Sequence, residues 1–258
     1  MNINPPPIKL LMIGNKKLEY YKDLLIKADT GLHHQLFSII NQLFKDRKDI
    51  KILDVACGEG AFASRLFDTG FKNVNCVDID SHNFKFSGRI NFTEIDLNNY
   101  SDVSHFVTNN AGEYDLVIGM ETIEHLENPW LYIHMLKTVL KKDGVLILTT
   151  PNINSIYSKI IYILRDRFFL FMESNLSYYH INPISTFEIE TICKYNDLNI
   201  VEIFPGGTYP IIWIKRNDLL FSFLYSMSNI FFYPFAKGQK FGWCNIYICK
   251  RVENQEFW

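Results

Sequence analysis

Residues 52–66 read I-L-D-V-A-C-G-E-G-A-F-A-S-R-L, an apolar run, then a glycine turn, then a helical pattern. That succession is the first half of a strand-turn-helix unit, in which side-chain-free backbone approaches a ligand at a helix N-terminus. Gly58, Gly60 and Ala63 fit G-x-G-x-x-A. Working outward, apolar runs at 50–56, 74–77, 90–95, 116–119 and 145–150 alternate with helical patterns such as 61–67 and 130–140. An entry helix is expected over 31–44, another helix over 185–195, and last strands over 200–204 and 244–249. Seven strands alternating with helices predict an α/β fold with a mainly parallel sheet.

A chain of 258 residues, 48% of them hydrophobic, can bury the core of one enlarged domain. The formal charge of −2 offers no basic excess for phosphate neutralisation, so no DNA partner is expected and small molecules or lipids remain. Five cysteines, odd in number and without a C-x-x-C pair, support neither a disulfide framework nor a zinc knuckle. With the apolar run 8–13 broken by Lys9 and too short for an export signal, a cytoplasmic home is the expectation. The expected divisions are an N-terminal segment with entry helix (1–46), a ligand-binding core (47–152), an apolar insertion or cap (153–184), and a C-terminal part of the sheet (185–258). That last part carries a second apolar insertion at 207–243.

Asp54 decides between ligands for the glycine loop. A carboxylate just before the loop repels a pyrophosphate but attracts an amino-acid ammonium, and S-adenosylmethionine carries an ammonium and a sulfonium. Asp78, twenty residues beyond Gly58, closes the second strand where a carboxylate can accept ribose hydroxyls. Asp96 ends the third strand, where it meets an adenine amino group or simply starts a turn. Together D-V-A-C-G-E-G, V-D-I-D, I-D-L and M-E-T-I-E-H-L-E-N-P resemble the class I S-adenosylmethionine-dependent methyltransferases over roughly residues 51–152. The resemblance implies a Rossmann-like seven-stranded sheet with its last strand antiparallel. It assigns Asp54, Gly58 and Gly60 to the methionine part of the cofactor, Asp78 to the ribose, and Asp96 with Leu97 to the adenine. Ile79 and Met120 complete the expected cofactor set. The segment 81–89 is short for the second helix of the family.

The M-E-T-I-E-H turn, residues 120–125, borders the transferable methyl group if the ligand lies at the carboxyl ends of the strands. On a helix, Glu121, Glu124 and His125 would share one face. Three readings stand: ligands for a divalent cation, His125 as a general base near neutral pKa, or a cofactor-holding glutamate beside a capping glutamate and a structural histidine. E-x-x-E-H resembles the small-RNA 3′-terminal 2′-O-methyltransferases and the ubiquinone-pathway O-methyltransferases. That resemblance implies a metal held by Glu121, Glu124, His125 and a later histidine, here His180 in H-I-N-P-I-S. With oxygen and imidazole donors and no cysteine, Mg2+ or Mn2+ is the expected ion.

The stretch 219–236 carries no charge, yet a single membrane crossing there would separate the last strand from its sheet. It is expected to pack with the apolar element 156–172 as a substrate cap, or to serve as a dimer face or a docking surface at the inner face of a membrane. Trp213, Lys215, Arg216, Lys237 and Trp243 around it suit an interface. These features point to an O-methyltransferase acting on a hydroxyl of a small molecule, a sugar or a lipid-linked glycan precursor. A nicotinamide-dependent oxidoreductase, or a cofactor-binding protein without turnover, are the rival readings.

Overall fold

Alternation of apolar side chains on the central strands sets two cores, one on each face of a sheet. The computed structural model describes residues 3–13, 18–86, 90–214 and 218–252. The main sheet contains β4 (Lys51–Val55), β5 (Asn73–Asp78), β6 (Asn91–Glu94), β7 (Tyr114–Met120), β8 (Leu140–Pro151), β9 (Leu198–Gly206) and β11 (Cys244–Arg251). Their order is β6-β5-β4-β7-β8-β11-β9, and β11 runs antiparallel to both β8 and β9. The expected seven-stranded sheet with an antiparallel last strand is therefore present.

Ile52 faces one core and Leu53 the other, each fully buried. On the first face pack α1 (Leu32–Leu43), α2 (Ala61–Asp68) and α5 (Ile156–Arg165). The second face carries α3 (Tyr100–Asn110), α4 (Pro129–Val139) and α6 (Thr186–Tyr195). Each helix of the second face starts on a side-chain cap: Asn99, Asn128 and Ser185 accept backbone N–H bonds that the first turn cannot satisfy internally.

Two small sheets lie outside the expected set. A hairpin pairs β2 (Glu19–Tyr21) with β3 (Leu24–Ile26) against α2, and β1 (Lys9–Ile13) pairs in parallel with β10 (Thr208–Trp213). The insertion at 207–243 thus begins as a strand. It continues into α7 (Leu219–Phe232), which packs on α5. Lys215, Arg216 and Arg89, and the side chain of Trp213, lie outside the described residues. Between β5 and β6, where the resemblance implied a second helix, the described residues form a 3-10 turn, Ser81–Asn83. Among the described residues, no helix is long and apolar enough to cross a membrane, and all five cysteines are free thiols.

Candidate active site

The glycine loop turns because three successive special conformations are possible there. Ala56, Gly58 and Gly60 all have positive φ, 56°, 56° and 84°. A side chain on Gly60 would meet Phe84 at 2.7 Å and Phe86 at 2.8 Å, which fold down over the loop. Lys85 between them reaches Glu59, at 2.6 Å.

Asp54 is buried at the end of β4, and its Oδ2 has no hydrogen-bond partner. Burial, reinforced by the charge of Asp78, pushes its carboxyl up to about 7. A buried carboxylate oxygen without a partner is the acceptor an ammonium needs. Asp78 is already oriented: its Oδ2 accepts from Gly58 N at 2.7 Å and its Oδ1 from Ile79 N at 2.8 Å. The Ile79 side chain is exposed. Asp96 Oδ1 accepts from Asn98 N at 2.9 Å, a turn-forming bond that is the bland alternative for that residue, and Leu97 packs half-buried beside it. Met120 closes β7 next to this loop's neighbouring strand.

At the end of β7 the chain does not become the helix that would align Glu121 with Glu124 and His125. Glu121 adopts a left-handed φ of 49°, and only Ile123–His125 form a 3-10 turn. The Glu121 carboxylate is drawn elsewhere: Oε1 accepts from the Thr149 hydroxyl at 2.8 Å and Oε2 from the Cys244 thiol at 3.2 Å. Glu124, His125 and His180 instead bring one donor atom each to within 4.8 Å of one another. Of the four expected residues the structure groups three among the described residues, and Glu121 is not in that group, its carboxylate bonding to Thr149 on β8 and Cys244 on β11.

Glu124 is fully buried. Its Oε2 accepts from Thr150 Oγ1 at 3.1 Å, while Oε1 has no hydrogen-bond partner and lies 3.9 Å from His125 Nε2. Burial, then the charge of Glu121, raises the Glu124 carboxyl well above the usual range. Burial lowers the pKa of His125, which keeps the imidazole neutral as a ligand or base must be. His180 comes from a distant segment because Ile181 N and Asn182 N both donate to the Glu124 carbonyl, at 3.2 and 3.0 Å. Its ring meets that of His125 edge-on at 4.8 Å and that of Phe171 at 5.6 Å.

Sequence reading missed Thr149, Thr150, Cys244 and Tyr132. The two threonines end a strand at the ligand edge, the one signal that pointed to them. Tyr132 fills the space beside Gly119 that any larger residue would occupy. Of the other histidines, His33 is buried against Phe62 with its pKa lowered to about 3 by burial, and His134 bonds Asn196.

Residues 29–203 match the family described as "Methyltransferase domain". The chain is 36% identical over 110 residues to a ubiquinone biosynthesis O-methyltransferase of Rickettsia typhi, covering 42% of this chain and 44% of that protein. Its namesake in Rickettsia canadensis is 34% identical over 161 residues, or 54% and 64% of the two chains. The chain spans about half the length of the curated relatives it matches. Among solved structures, a SAM-dependent methyltransferase from Archaeoglobus fulgidus superposes with a TM-score of 0.55 at 16% identity, covering 85% of this chain and 94% of that one. Magnesium protoporphyrin IX methyltransferase of Synechocystis PCC 6803 gives 0.56 at 16%, covering 86% and 84%. With the match running from the entry helix through most of the sheet, the chain belongs to the methyltransferase-domain family and has the architecture of its class I, S-adenosylmethionine-dependent members.

Proposed function

We propose that the protein transfers the methyl group of S-adenosylmethionine to a hydroxyl oxygen, with a divalent cation held by Glu124, His125 and His180. The observation that carries this reading is the convergence of those three side chains at the carboxyl end of β7, beside β4, which ends in the buried Asp54 and the glycine loop. The names of the relatives support oxygen as the acceptor atom.

S-adenosylmethionine supplies an electrophilic methyl group when bound. Asp54 would hold its ammonium, the turn at Gly58 and Gly60 would admit its backbone-sized parts, and Asp78, braced by Gly58 and Ile79, would accept from the ribose. A cation at the triad lowers the pKa of an acceptor hydroxyl and fixes its position. The unpartnered Glu124 Oε1 and the neutral His125 fit such an ion. With Glu121 outside the set, two imidazoles and one carboxylate suit Mn2+ better than Mg2+. Glu121 stays a residue of the cofactor side, locked between Thr149 and Cys244. The acceptor is a small molecule, a sugar or a lipid-linked glycan precursor, and the exposed Tyr178 and Tyr179 next to His180 favour one with an apolar or ring-shaped part.

Labelled S-adenosylmethionine offered with fractionated cell extract identifies the acceptor. Excess chelator should abolish transfer, and Mn2+ should restore it. S-adenosylhomocysteine binding should persist throughout, and His180→Ala should lose the metal response. Full transfer in chelator leaves His125 as the base and ends the metal reading. A thermal shift with nicotinamide dinucleotides and none with S-adenosylhomocysteine would end the methyltransferase reading itself.

A further inference from the structure

α7 is a surface helix turned inside out. Its inward stripe, Phe221, Ser222, Tyr225 and Asn229, buries a hydroxyl, a phenol and an amide. Asn229 is fully buried, donates to the carbonyls of Pro210 (2.6 Å) and Ile211 (3.0 Å), and accepts from the Tyr209 hydroxyl at 2.8 Å. Those bonds lock the helix's rotation, because turning it would leave several buried polar groups unpaired. The face so fixed outward is apolar: Leu220, Phe223, Leu224, Met227, Ile230 and Phe231 are all exposed, Leu220 at 69% and Phe231 at 70%. On α5, against which α7 packs, Ile163 is 82% exposed. A contiguous apolar face of this kind marks an interaction site.

Charge selects the occupant. From Leu219 to Val252 there is no Asp or Glu, and the first charges after the apolar run are the exposed cations Lys237 and Lys240. The acidic groups of adjoining elements are each drawn to an arginine: Asp218 to Arg165, and Asp166 and Glu173 to Arg167. Among the described residues, two copies meeting face to face would bring like cations together, with the acids of the adjoining elements already paired to arginines. An anionic bilayer offers both an apolar interior and negative charge. The helix has 14 residues, about 21 Å of length at ~1.5 Å per residue, so it lies in the plane of the surface and does not cross it.

We infer that the outward face of α7 inserts into the interfacial layer of an anionic membrane, with Lys237 and Lys240 at the headgroups. This docking does not depend on the metal reading of the active site. The full chain should co-sediment with vesicles of phosphatidylcholine and phosphatidylglycerol and remain largely in solution with phosphatidylcholine alone. Phe223→Glu with Phe231→Glu, both at exposed positions, should keep its circular dichroism and its S-adenosylhomocysteine affinity while vesicle partitioning falls by roughly tenfold or more. Lys237→Glu with Lys240→Glu, which leaves the apolar face intact, should abolish the preference for anionic vesicles. Wild-type protein that stays in solution with both vesicle types overturns the inference. So does a folded Phe223→Glu, Phe231→Glu variant that sediments like wild type, or a wild-type dimer in sedimentation velocity that this variant dissociates, since a second copy would then be the occupant.

Discussion

At the scale of single residues, Asp54 combines two demands that conflict. In its proposed role it must be ionised to hold an ammonium, yet burial, with the charge of Asp78, holds its carboxyl up at about 7, far above the usual 3.8. In the cofactor-free protein the folded form therefore keeps a proton that the unfolded chain has lost between about pH 4 and 7. Asp54 thus favours folding at low pH, and that contribution fades as pH rises through about 7. Affinity for S-adenosylhomocysteine should move the other way, weakening by up to about tenfold per pH unit below about 7. Asp54→Asn should lose about one to two decades of affinity, flatten both pH profiles, and leave the cofactor-free protein at least as stable as wild type at pH 8. Calorimetric titration and thermal melts across that range check all three. An unchanged affinity would remove Asp54 from the cofactor site.

At the scale of elements, the seating of α7 rests on buried polar bonds as well as on apolar burial. Asn229→Ala would take the Asn229 bonds from the Ile211 carbonyl and the Tyr209 hydroxyl and leave the Pro210 carbonyl with the Tyr225 hydroxyl alone. Each stranded group costs about 1–3 kcal/mol. The expected result is early release of α7, seen as faster hydrogen exchange over 208–232, while the strands of the main sheet keep their protection. Uniform loss of protection would mean that cap and sheet unfold as one. The packing of the apolar run 219–236 with the element 156–172 was legible in the sequence. The inversion of its helix was not, because it depends on Asn229 finding carbonyls on β10.

At the scale of the whole molecule, the N-terminal segment and the second insertion are one structural device. β1 pairs with β10, Asp29 accepts from Thr208 N and Oγ1 at 2.7 and 2.9 Å, and Gln35 accepts from Gly207 N at 2.7 Å. Residues more than 170 positions apart thereby fasten the cap to the entry helix. A variant lacking residues 1–17 should bare the edge of β10 and lower the melting temperature by about 2–4 °C for each kcal/mol lost. Its affinity for S-adenosylhomocysteine should not change, because the described contacts of the glycine loop run to Leu25 on β3 and to Phe84 and Phe86, which the variant keeps. A variant that melts like wild type would show that the pairing adds nothing to stability.

The sheet, its strand count and the strand-end places of Asp54 and Asp78 were readable from the sequence, because local pattern carries them: a buried strand needs an apolar run, and a turn of positive φ favours glycine. The pairing of β1 with β10 and the place of Glu121 were not readable. Both follow from contacts between residues far apart in the chain, which periodicity does not encode. Tertiary structure alone drew Glu121 to Thr149 and Cys244. It also brought His180 to Glu124 and His125 through two backbone bonds to the Glu124 carbonyl, turning a four-residue expectation into a three-residue cluster.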